Sequence, residues 1–106
     1  MVQRLGCDYP EHFAAVGIMI YQMPPGHACG PREALPMLHY YGVHDDEVPH
    51  DGKPSPYGWV YTSAAENTRV WAETMGCNGP TVPWQTALTQ EHDLQCEAYT
   101  DCQSEG

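Results

Sequence analysis

The residues best suited to chemistry in this chain lie together in Gly42-Val43-His44-Asp45-Asp46-Glu47-Val48-Pro49, a turn rich in carboxylates and imidazole. They follow Leu35-Pro36-Met37-Leu38-His39-Tyr40-Tyr41, an apolar and aromatic run of strand length. A strand opening into a functional loop has this pattern. A carboxylate at the C-terminal end of a strand can accept a hydrogen bond from an imidazole, fix its tautomer and stabilise the imidazolium that forms during acyl transfer. The plainer alternative is an acidic loop that only solvates the surface.

Other groups were weighed against that chemistry. His39, His44, Asp45, Asp46 and His50 crowd into a short stretch, and imidazole with carboxylate suits zinc or a similar cation. Their spacing follows a strand end and a turn rather than one helical face, so a metal is not expected. Tyr40, Tyr41, Tyr57, Trp59 and Tyr61 offer a wall for a phenolic acyl group or a sugar ring. Alternatively, the first two pack the sheet and Trp59 covers the loop. A nucleophile is harder to find: Ser55, Ser63 and Ser104 all lack the flanking glycines of a G-x-S-x-G elbow. His92 sits in Gln90-Glu91-His92-Asp93, a polar surface pattern, and His50 is too near Asp45 along the loop to be favoured as its partner but is placed to line a pocket mouth.

The elements that must position Asp45 can be read from periodicity. Val2, Leu5 and Cys7 fall on one side of a short helix that Tyr9-Pro10 stops. Residues 13–20 form a continuous apolar run, as in strands covered on both faces of a parallel sheet. A Pro- and Gly-rich loop leads to a second strand at 36–41, and residues 50–58 are expected to be irregular. Ser63-Ala64-Ala65-Glu66 has the spacing of a capping box. The helix it starts should run over 64–75, burying Val70, Trp71 and Thr74 or Met75, with Gly76 as its stop. A further strand is expected within 82–88. This order suits a slice of an α/β fold with parallel strands and flanking helices, and so small a sheet leaves faces and edges uncovered.

A length of 106 residues fits one domain, 1–106, with a modest core. A formal charge of −10 repels phosphate backbones and anionic bilayers, so neither nucleic acid nor a membrane is an expected partner. The five cysteines, Cys7, Cys29, Cys77, Cys96 and Cys102, imply disulfides and an oxidising compartment, with one thiol left over. Cys96 and Cys102 lie in a polar tail where a staple would substitute for core, although the pairing stays open. Met1 to Asp8 turns polar at once and lacks the pattern of a signal peptide. Together these features create the expectation of a secreted protein that begins upstream of Met1.

The residues around Asp45 resemble a known family. Pro36-Met37-Leu38, Gly42, Asp45, Val48, Pro49 and Gly52 resemble the motif around the catalytic acid of the feruloyl esterase and polyhydroxybutyrate depolymerase family of secreted α/β-hydrolases. Leu5, Cys7, Tyr9-Pro10 and Phe13-Ala14-Ala15-Val16 look like the helix and strand after that family's nucleophile elbow. Trp71-Ala72 and Gly76-Cys77 look like its later helix and Gly-Cys ending. Tyr41 and Val43 depart from the His and Thr usual there. The resemblance covers nearly the whole chain and implies a serine carboxylesterase that needs no cofactor, with Asp45 as the triad acid and Asp46 as the fallback. It also implies an ester substrate on a plant polysaccharide or a polyester, and places the nucleophile before Met1 and the catalytic His after Gly106. The 106-residue chain alone is then expected to be inactive. A disulfide-stapled extracellular binding module is the alternative from another class.

Overall fold

The computed structural model describes residues 1–92 and 94–103. Helix α1 (Val2–Asp8) ends where Tyr9 leaves helical geometry, and a 3-10 turn at Pro10–His12 leads the chain toward strand β1 (Val16–Met19). Strand β2 (Met37–Tyr40) pairs with β1 in parallel, with Val16 opposite Met37 and Met19 opposite Tyr40. Amide bonds from Val16 to the Pro36 carbonyl and from Ile20 to the Tyr40 carbonyl lengthen this ladder at both ends.

Parallel strands need a crossover, usually helical. Here residues 20–36 cross over without one, and a disulfide between Cys7 and Cys29 ties the crossover to α1. The crossover begins with Ile20 at φ 58, a left-handed conformation that a β-branched residue adopts only under constraint.

Helix α2 (Ala64–Thr74) begins as the capping pattern requires: the Ser63 hydroxyl accepts the Glu66 amide at 3.2 Å. Glu66 does not complete the box, because its carboxylate is drawn outward by the Arg69 guanidinium, which also pairs with Glu73. Gly76 follows at φ 67, the left-handed geometry that ends a helix cheaply only with glycine.

One cluster joins these elements: Cys7 from α1, Val16 from β1, Leu35 before β2, and Trp71 and Met75 from α2 and its end. Trp71 is 2% exposed, and its indole N–H donates to the Leu35 carbonyl at 2.7 Å. Gly6 lies beneath it; a Cβ there would stand 2.9 Å from the Trp71 ring. Beyond Cys77 the chain forms a smaller antiparallel unit from β3 (Val82–Pro83), α3 (Ala87–Glu91) and β4 (Glu97–Ala98). A Cys77–Cys102 disulfide closes that unit, and Cys96 remains a free thiol.

Several expectations need correcting. Helix α1 buries Gln3, Gly6 and Cys7, whereas Val2 and Leu5 are exposed, because the close approach of Trp71 over Gly6 and the Cys7 disulfide fix which side faces inward. Strand β1 is not covered on both faces: Val16 and Ile18 are buried while Gly17 and Met19 face out. The strand expected within 82–88 stops at Pro83, since Thr86 and Thr89 cap one another, each hydroxyl accepting the other's amide, and turn the chain into α3. Val70, expected on the buried side of α2, is only half-buried; of the alternatives Thr74 and Met75, Met75, just past the helix, is the buried one. Among the described residues, no helix is long and apolar enough to cross a membrane.

Candidate functional site

Past β2 the chain turns at Gly42, whose carbonyl accepts the Asp45 amide at 3.4 Å. The half-buried Asp45 then turns its carboxylate back over the loop: Oδ1 accepts the amides of Glu47 at 2.9 Å and Val48 at 3.0 Å. This is an Asx turn, in which the side chain supplies the acceptor that a backbone carbonyl would otherwise give. Among the described residues Oδ2 has no hydrogen bond or ion pair. The carboxylate is thus held by one oxygen, while the other is unengaged among the described residues. Asp46 beside it is exposed and makes no such bonds among the described residues.

The far side of the loop is anchored as well. Pro49 is buried, and the His50 carbonyl accepts the Ala64 amide at 2.7 Å, linking the loop to the first turn of α2. The His50 ring stacks on Tyr41, with centroids 5.4 Å apart and planes inclined by 24°. Tyr41 in turn meets His39 edge-on at 5.4 Å. Among the described residues both buried His39 ring nitrogens find no hydrogen-bond partner, and this burial lowers the His39 pKa from its ordinary value.

Between loop and turn lies an open depression of about 550 Å³ lined by His44, Asp45, Asp46, His50, Asp51 and Ser55, among others. Asp51 has its carboxyl held below the usual range, mainly by the Lys53 amide, with the Lys53 ammonium at 3.3 Å. The structure therefore gathers Asp45, Asp46, His44 and His50, as the sequence suggested, and adds Ser55, which spacing alone had set aside.

Ser55 is engaged locally. It is 6% exposed, and its hydroxyl accepts the Tyr57 amide at 3.3 Å. No hydrogen bond connects Ser55, His50 and Asp45 among the described residues. The Ser63 hydroxyl is spent on capping α2, and Ser104 lies outside the described residues. His92 is an exposed turn residue after α3 and does not line the depression. Among the described residues, no group of three His, Cys, Asp or Glu side chains is placed to hold a metal ion.

What the sequence did not show is the use of Asp45 Oδ1. Residue type was the only signal, since Asp favours such turns, and the turn itself is set by backbone geometry. Comparison of the chain with protein-family models, with curated proteins and with solved structures finds no match.

Proposed function

We propose that this chain is the acid-bearing part of a secreted carboxylic ester hydrolase of the α/β-hydrolase type, similar to feruloyl esterases and polyhydroxybutyrate depolymerases. Asp45 is its triad acid. The observation that carries the reading is the divided carboxylate of Asp45: Oδ1 accepts two backbone amides, Oδ2 has no hydrogen bond among the described residues, and the residue lines the depression. An acid that orients a histidine needs this combination, because a carboxylate free to rotate cannot hold an imidazole in one tautomer and direction.

In the intact enzyme a serine and a histidine, neither supplied by residues 1–106, complete the relay. The histidine takes the serine proton as the hydroxyl attacks the ester carbonyl; the alcohol leaves with that proton, and water then releases the acid by the same steps. Asp45 accepts the imidazole N–H throughout and stays ionised. The order of parallel strand, acidic turn and capped helix supports this reading, and the Cys7–Cys29 and Cys77–Cys102 disulfides are compatible with an extracellular location. The solvent-open rings of Tyr57 and Trp59 favour a second reading, an extracellular binding module without catalysis.

Two observations test the proposal. Residues 1–106 alone should hydrolyse p-nitrophenyl acetate no faster than buffer; turnover lost in Ser55→Ala or His50→Ala would move the chemistry inside the chain and refute the divided triad. The source reading frame should encode a G-x-S-x-G elbow before these residues and a histidine in a Gly-rich turn after them. Absence of both would favour the binding module.

A further inference from the structure

Behind the strand that leads to Asp45 lie buried polar groups with no role at the acidic turn. Gln22, just past β1, is 0% exposed, and both the nitrogen and the oxygen of its side-chain amide lack a hydrogen-bond partner among the described residues. Asn67 on α2 is 2% exposed; its Oδ1 accepts the Met23 amide at 3.3 Å, and its Nδ2 is buried and unpaired. His39, on the inward face of β2, has both ring nitrogens in the same condition. Orphaned buried groups are rare because each carries the desolvation cost of a lost hydrogen bond. These three converge on one end of α2. The Asn67–Met23 bond sets Gln22 beside the helix, and the Thr62 amide, donated to the Met23 carbonyl at 2.9 Å, holds the same segment there. From the other side His39 meets Tyr41 edge-on, Tyr41 stacks on His50, and the His50 carbonyl accepts the Ala64 amide at the start of the helix.

We infer that Gln22, Asn67 and His39 enclose a buried water site that joins the C-terminal ends of β1 and β2 to helix α2. The chemistry of the unpaired atoms selects the ligand. Gln22 Nε2, Asn67 Nδ2 and one nitrogen of neutral His39 offer hydrogens, while Gln22 Oε1 and the other imidazole nitrogen need them. Water both donates and accepts and is small enough for a buried position. At about three bonds per buried water, the five atoms suit about two molecules. An ion would lie there without a counter-charge, because two neutral amides and a neutral imidazole bring none. An apolar ligand would return neither donors nor acceptors. The water ties the crossover, β2 and α2 together at the strand ends from which the acidic turn leaves. The site stands whether or not Asp45 serves a triad.

NMR of the isotope-labelled chain tests the site. The side-chain amide protons of Gln22 and Asn67 are expected to show cross-peaks to water that differ in sign between NOE and ROE spectra, the mark of bound water as opposed to proton exchange. Gln22→Met keeps the length of the side chain and removes both polar atoms, so Asn67 and His39 lose the water they share with it. Its folding equilibrium constant, from urea unfolding, should fall by about ten-fold. Were Gln22 unpaired in a dry site, the same variant would be the more stable protein, because it removes a buried polar group that nothing satisfies. Absence of the water cross-peaks in the parent, contacts that pair Gln22 directly with Asn67 or His39, or a Gln22→Met chain no less stable than the parent overturns the water site. If Gln22→Met does not fold, the parent spectra decide.

Discussion

The indole N–H of Trp71 donates to the Leu35 carbonyl at 2.7 Å, joining helix α2 to the residue from which the chain enters β2. This bond spans 36 positions of sequence and fixes the base of the strand that ends in the acidic turn.

Trp71→Phe keeps most of the ring and leaves the buried Leu35 carbonyl without its donor, at a cost of about 1–3 kcal/mol. Trp71→Ala adds a cavity among Cys7, Val16 and Met75 and should cost about 3–5 kcal/mol. Urea unfolding measures both. Equal stabilities for parent and Trp71→Phe would show that the bond contributes nothing.

The Cys7–Cys29 disulfide closes a loop of 22 positions across the helix-free crossover. Chain-entropy arguments give about 3 kcal/mol for a loop of that size. The Cys7→Ser/Cys29→Ser double variant should lose about that much in urea unfolding and become more sensitive to proteolysis within 20–36. A variant as stable and as protease-resistant as the parent would show that the crossover holds its path unaided.

His39 gives the stability a pH dependence whose sign can be stated. Burial lowers its pKa from the ordinary 6.5, so the unfolded chain binds the proton more readily than the folded one. Its contribution to stability is complete above the unfolded value and is lost as pH falls through the folded value. Between about pH 7.5 and about pH 5 the parent should therefore lose more stability than His39→Phe, in which no proton can be taken up. Identical losses in both proteins would remove His39 from the account.

The capped helix α2 was legible in the sequence because its signals are local: Ser63 at the cap, Trp71 at core spacing, Gly76 at the stop. Strands β1 and β2 were legible as apolar runs, but the exposure of Met19 at 71% and Leu38 at 63% was not. A run's length reports the chance of a strand and says nothing of which faces find a cover. The inward side of α1 was misread for a related reason: Val2 and Leu5 are the more apolar residues, but contact with Trp71 needs Gly6, and small size leaves no mark in a hydrophobic pattern. At the candidate site, Asp45 and its neighbours were legible from residue type. The fixing of Oδ1, and Ser55 in the wall of the depression, depend on backbone geometry that spacing does not encode.

The central claim concerns Asp45, and kinetics of the protein made from its complete natural reading frame test it most directly. Asp45→Asn keeps the side-chain shape and its acceptor oxygen toward Glu47 and Val48 while removing the charge that orients and stabilises the imidazolium. It should lower kcat for an aryl ester by about 10⁴-fold with little change in KM. Asp46→Asn, exposed and unengaged, should stay within about three-fold of the parent by the same kinetic comparison. An Asp45→Asn enzyme that retains full activity, an activity that collapses only in Asp46→Asn, or a parent that hydrolyses no ester would contradict the account.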